Sequence, residues 1–158
     1  MSNSESRTPS QALEALGLTL PAVAAPVAAY VPATRTGNLV FTSGQLPFVN
    51  GELTHVGHVG AEVTAEEAKE AARTCALNAL AAVDAEVGLD NVTRIVKVVG
   101  FVNSAAGFTG QPGVINGASE LFGDVFGERG QHARSAVGVN QLPLDAPVEV
   151  EIIVEVAQ

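Results

Sequence analysis

Hydrophobic positions along this chain fall into short alternating runs separated by helical stripes. Leu13, Leu16 and Leu18 around Glu14 predict a short helix from Ser10 that ends near Gly17. Residues 1–9 are polar and read as a disordered tail, which leaves 10–158 as a single domain. Residues 20–29, rich in Pro and Ala, read as an irregular packed arm. Tyr30–Arg35 predicts a first strand, Thr36-Gly37-Asn38 a turn, and Leu39–Ser43 a second strand stopped by Gly44. Pro32 lacks an N–H donor, so this first strand belongs at an edge or carries a bulge.

Residues 46–63 read as a long loop with a turn at Asn50-Gly51. Thr64-Ala65-Glu66-Glu67 has the spacing of a capping box, and a helix follows to about Val87. Ala68, Ala72, Cys75, Ala79 and Val83 form its lean apolar stripe, and Gly88 supplies the stop. Val92–Asn103 predicts a strand, 104–113 a Gly-rich loop, and Val114–Phe126 a second long helix. A strand within His132–Val139 then carries Arg134, and Leu142–Asp145 makes a turn. In the last strand Val148, Val150, Ile152, Val154 and Val156 point one way, while Glu149, Glu151, Ile153 and Glu155 point the other. The order β-β-α-β-α-β-β describes an α+β domain: one mixed sheet with two helices on one face. The other face needs solvent or a partner, and it is where Arg134 and Glu149 are expected.

Composition narrows the function. The net charge is −9 with only eight Lys and Arg residues, scattered along the chain. Nucleic acids are held mainly through cations that neutralise phosphates, so no nucleic-acid partner is expected. Apolar runs such as Leu20–Val31 are broken by prolines, so no membrane partner is expected either. The N-terminal residues lack the apolar middle of a signal peptide, and the single Cys75 fits a reducing compartment. Both point to the cytoplasm. His55 and His58 stand three apart with no third ligand at a recognisable spacing, so no metal or other cofactor is expected. His132 reads as a surface histidine, and Cys75 as a small core residue rather than a nucleophile.

The most informative segment is His132-Ala133-Arg134-Ser135-Ala136-Val137-Gly138-Val139. Alternation puts Arg134 on one face with Ala136 and Gly138, whose small side chains leave room beside it. A guanidinium is always charged and matches a carboxylate in a two-pronged geometry. Two readings follow: a small acid as ligand, or an ion pair with a Glu across a subunit contact.

Four segments carry a family resemblance. They are Gly37–Pro47 (GNLVFTSGQLP), the Asn78-Ala79-Leu80 helix, Ala133-Arg134-Ser135, and Leu142-Pro143 leading into Val148–Glu151. Over about residues 26–157 the chain resembles the RidA/YjgF imine and enamine deaminases, once named after an endoribonuclease, in a longer subgroup with an N-terminal extension. The resemblance implies a chorismate-mutase-like fold and a homotrimer whose sheets form an inner barrel, with active sites in clefts between subunits. It implies that Arg134 grips the substrate carboxylate and Glu149 positions the attacking water. It also implies that Tyr30, Ser43, Gly44, Asn116 and Ala136 line the pocket. Ala136 stands where the family commonly has Cys.

These residue types suit one chemistry. Water adds to the imine carbon of a small 2-imino or 2-enamino acid, and ammonia leaves to give a 2-keto acid. A two-pronged Arg fixes the carboxylate, and a carboxylate across from it can orient and partly deprotonate water. The alternative is a non-catalytic module, a sensor or carrier, holding a small carboxylate or keto acid in the same cleft. An endoribonuclease would have to overcome the acidic charge and the lack of a His pair.

Overall fold

The computed structural model describes residues 7–23 and 29–158. Helix α1 spans Pro9–Ala15, capped by Thr8, whose side chain accepts from the Gln11 N–H while Gln11 answers on the Thr8 N–H. It therefore opens one residue before the expected Ser10. Proline is welcome there, because the first helical N–H has no partner within the helix. Residues 1–6 of the expected tail, and 24–28 of the expected arm, lie outside the described residues. Leu18 and Leu20, which follow the helix, pack on the core.

Strands β1 (Ala33–Thr36) and β2 (Leu39–Thr42) form the expected hairpin. β1 is an edge strand and starts after Pro32, so the proline falls outside the ladder. The long loop contains a small hairpin of its own, β3 (Phe48–Val49) with β4 (Glu52–Leu53). Asn50 (φ 52°) and Gly51 (φ 82°) make its turn, the paired positive values a tight hairpin requires. The Asn78 amide donates to the carbonyls of Leu46 (2.9 Å) and Phe48 (3.1 Å) and ties this loop to the next helix.

Helix α2 (Ala65–Val87) has both capping-box bonds, from the Glu67 N–H to Thr64 Oγ1 (3.1 Å) and from the Thr64 N–H to Glu67 Oε1 (2.9 Å). All five stripe residues, Cys75 included, are fully buried. β5 (Val92–Asn103) is followed by α3 (Gln111–Phe126), β6 (Ala133–Val139) and β7 (Val148–Val156). α3 starts earlier than expected because Pro112 and Gly113 fit its first turn. The main sheet runs β1-β2-β7-β5-β6, antiparallel except for β5 beside β6. Register irregularities around Thr93 and Val96 turn Val92, Ile95 and Val98 alike towards the helices.

The core lies between the sheet and α2 with α3. Val40, Val98, Val102, Val150, Ile152 and Val154 meet Leu80, Val83, Ile115, Leu121 and Phe122 there, all essentially without solvent contact. Small residues set the spacing. A Cβ at Gly117 would collide with the Lys69 carbonyl of α2, and one at Gly100 of β5 with Ile115. α3 therefore sits close on both its neighbours. Among the described residues nothing covers the opposite sheet face: Phe41 is 36% and Val137 44% exposed, with Val99, Phe101 and Ile153 half-buried beside them.

Candidate functional site

The residues of interest form two clusters on opposite faces of the sheet. In the first, Arg134 pairs in register with fully buried Val98, so it points to the helix-covered side. There α3, held close by Gly100 and Gly117, presents two acceptors. Arg134 Nη1 donates to Asn116 Oδ1 (2.8 Å) and to Ser119 Oγ (3.3 Å). Asn116 and Ser119 stand three apart, the spacing that aligns two side chains on one helix face. Among the described residues the guanidinium has no further hydrogen bond and no acidic partner. One nitrogen is tied down, and the Nε and Nη2 edge stays available for a carboxylate.

The second cluster lies on the uncovered face. Glu149 pairs with Phe101, and Phe101 pairs with Val137, which puts all three on that side. Gly44 lies directly over the Glu149 side chain: a Cβ there would stand 2.8 Å from its carboxyl carbon. Gln45 and Val150 exchange backbone hydrogen bonds of 2.8 and 3.0 Å and hold Gly44 in place. Ser43 ties down the chain that carries Tyr30: its Oγ donates to the Val31 carbonyl (2.5 Å) and its N–H to the Pro32 carbonyl (2.8 Å). Tyr30 itself is 54% exposed. Burial raises the pKa of Glu149 above the ordinary carboxylate value, and the charge of Glu151 on the same face adds to it.

The expectation that Arg134 and Glu149 share the uncovered face is thus overturned. Small residues beside Arg134 signalled a helix pressed close rather than an empty pocket. Ala136 packs against the core, and the place a side chain at Gly138 would take is filled by Gln111 and Ser104. Within one chain Gly44 and Glu149 lie together on one side, and Arg134 with Asn116 and Ala136 on the other.

Two residues join the Arg134 cluster unforeseen. One is Ser119. The other is His132, half-buried rather than on the surface, with Nε2 2.8 Å from Ser119 Oγ. The signal was present in the spacing, since His132 alternates onto the face of Arg134. Cys75 is a core residue as expected. Its Sγ–H points to the Val148 carbonyl at 3.6 Å, and burial, then the Glu149 charge, pushes its pKa well up. His55 Nδ1 lies 3.2 Å from Glu67, and His58 Nε2 lies 2.8 Å from the Asn140 carbonyl. Among the described residues no three His, Cys, Asp or Glu side chains gather as a metal would need. Nor is any described helix long and apolar enough to cross a membrane.

A five-stranded mixed sheet with its long helices on one face is a chorismate-mutase-like α+β fold. The comparisons make the assignment finer. Residues 10–156 match the family model described as "YjgF/chorismate_mutase-like, putative endoribonuclease", and the chain belongs to this RidA/YjgF family. It is 50% identical over 147 residues to Protein TCP17 of Trypanosoma cruzi, covering 90% of this chain and 91% of that one. It is 37% identical over 131 residues to the 2-iminobutanoate/2-iminopropanoate deaminase of Escherichia coli K12, covering 82% and 88%. Among solved structures, Atu1372 from Agrobacterium tumefaciens, of unknown function, superposes with a TM-score of 0.88 at 45% identity, covering 94% and 92%.

Proposed function

We propose that this chain hydrolyses small 2-imino acids to 2-oxo acids and ammonia, in clefts completed between the subunits of a homotrimer. The observation that carries the reading is Arg134: among the described residues its guanidinium is anchored through Nη1 alone, with its two-pronged edge unpaired. That edge suits the substrate carboxylate and would hold the neighbouring imine carbon at a fixed place. Glu149 supplies the base. With its pKa raised by burial and by Glu151, it is better matched to proton transfer near neutrality than an ordinary carboxylate.

The steps balance without a cofactor. Glu149 takes a proton as water adds to the carbon of the protonated imine, forming a neutral carbinolamine. The same proton passes to the amino group; as the C–N bond breaks and ammonia departs, Glu149 takes the hydroxyl proton, the carbonyl of the 2-oxo acid forms, and the departing ammonia carries that proton away as ammonium. Arg134 and Glu149 lie on opposite sheet faces, so each substrate would meet Arg134 of one copy and Glu149 of another. The uncovered apolar face, with Phe41, Phe101 and Val137, supports such an assembly, since a patch of that kind favours a partner over water.

The test is release of 2-oxobutanoate from 2-iminobutanoate generated in situ, measured against the spontaneous rate. The reading expects clear acceleration, lost in Arg134→Ala while the oligomer persists. Binding of 2-oxobutanoate without turnover would favour a sensor or carrier instead. Neither binding nor turnover would reject both.

A further inference from the structure

Arg134 is held by more than its direct partners. His132 Nδ1 lies 2.6 Å from the Gly130 carbonyl oxygen, and its Nε2 lies 2.8 Å from Ser119 Oγ. A carbonyl can only accept, so Nδ1 carries the proton of the neutral ring. Nε2 is then an acceptor, and the Ser119 hydroxyl must donate to it. With its proton committed, Ser119 Oγ offers lone pairs alone, and Arg134 Nη1 donates to it at 3.3 Å. The bonds therefore run in one direction, from Arg134 through Ser119 and His132 to the Gly130 carbonyl. The ring is clamped as well as hydrogen-bonded: Phe122, fully buried, meets it edge-on with centroids 6.0 Å apart at 89°.

We infer that Ser119 and His132 are positioning residues that fix the guanidinium of Arg134, so that its Nε and Nη2 edge is set for a small carboxylate before the ligand arrives. The inference rests on the carboxylate-binding role proposed for Arg134. Asn116 restrains Nη1 from one direction only; the second acceptor removes the remaining rotation about the guanidinium. An acceptor whose own hydrogen was free to turn could also present a donor, which would repel Nη1. His132 prevents that by taking the hydroxyl proton. A guanidinium set beforehand loses less rotamer freedom when it binds, and the gain appears in affinity for the carboxylate.

The experiment combines a spectroscopic and a binding measurement on the intact protein. The ¹⁵N shifts of the imidazole are expected to show His132 as the Nδ1–H tautomer, with Nε2 unprotonated. Calorimetric titration with 2-oxobutanoate is expected to show affinity about tenfold weaker in Ser119→Ala, the scale of one hydrogen bond to a charged group. Ser119→Thr, which keeps the hydroxyl, is expected to recover most of it. In turnover the loss in Ser119→Ala should fall on KM more than on kcat.

An Nε2–H tautomer would overturn the relay whatever the protein catalyses. Undiminished affinity in Ser119→Ala would overturn the positioning role even with the tautomer in place. Failure of the unaltered protein both to bind a small 2-oxo acid and to turn over 2-iminobutanoate would overturn the proposed function and the positioning role together. The tautomer would still be read, so the two failures are distinguishable.

Discussion

The two faces of the sheet are built from the same strands and do opposite things with small residues. On the helix-covered face, Gly100 and Gly117 are small so that α3 can approach, and the approach delivers Asn116 and Ser119 to Arg134. On the uncovered face, Gly44 is small so that a carboxylate, Glu149, can lie beneath it. One face uses glycine to bring a helix near a cation, the other to shelter an anion. The cation is left with an unpaired edge, and the anion is left with a raised pKa. A single copy of the chain separates the two by the thickness of the sheet.

Breaking the covered side should have the largest effect. Arg134→Ala is expected to lower kcat/KM for 2-iminobutanoate by roughly 10³-fold, since it removes the two-pronged contact proposed to hold the substrate carboxylate and orient the reacting carbon. Arg134→Lys should recover little, because an ammonium lacks the planar fork. Steady-state kinetics would check both, and a lysine variant near full activity would contradict the geometry.

On the other face Glu149→Gln is expected to cost about 10²-fold or more in kcat, the usual scale for a lost general base. It should also stabilise the fold at neutral pH. Glu149 has a raised pKa in the folded state, so its ionised form opposes folding above that pKa. Below the ordinary carboxylate pKa both states are protonated, and the opposition is gone. The gain in Tm for Glu149→Gln should therefore be present at neutral pH and vanish as pH falls through the raised pKa. Thermal melts across that range decide it, and a gain that persisted in acid would count against burial as the cause.

A smaller effect is expected from Gly44→Ala. Its Cβ would meet the Glu149 carboxyl carbon at 2.8 Å and displace a flexible side chain rather than backbone. Activity should drop about tenfold with little change in Tm, since misplacing a catalytic group is costly while overpacking at a yielding contact is not. Glu151→Gln should have the smallest effect. Removing the neighbouring charge lowers the pKa of Glu149, so the acid limb of kcat/KM should move to lower pH. A limb that stayed in place would mean that another group sets it.

Much of this was legible beforehand, and particular residues show why the rest was not. Thr64 and Glu67 announced α2, and Val148–Val156 announced β7 with its two faces, because capping and alternation are local. Alternation also sorted Arg134 with Ala136 and Gly138, but no local pattern says which face a helix will cover. Small residues admit a guest and a close helix equally well. The β3–β4 hairpin is not legible in the sequence because two-residue strands carry no alternation, although its Asn50-Gly51 turn is. The first turn of α3 reads as loop because Pro112 and Gly113 resemble one when their place in a helix is unknown. The Arg134–Ser119–His132 chain needed the crossing of α3 over β6, a tertiary fact.

The proposed site draws Arg134 and Glu149 from two copies of the chain. The most direct measurement mixes Arg134→Ala with Glu149→Gln after dissociation and reassembly in equal amounts. Each variant alone is expected to be nearly inactive. In a random mixture about a quarter of the inter-subunit sites would pair an intact Arg134 with an intact Glu149, so activity should return to about a quarter of the unaltered level. A mixture no more active than its components would show that the two residues do not meet across a subunit boundary, and the account would fail.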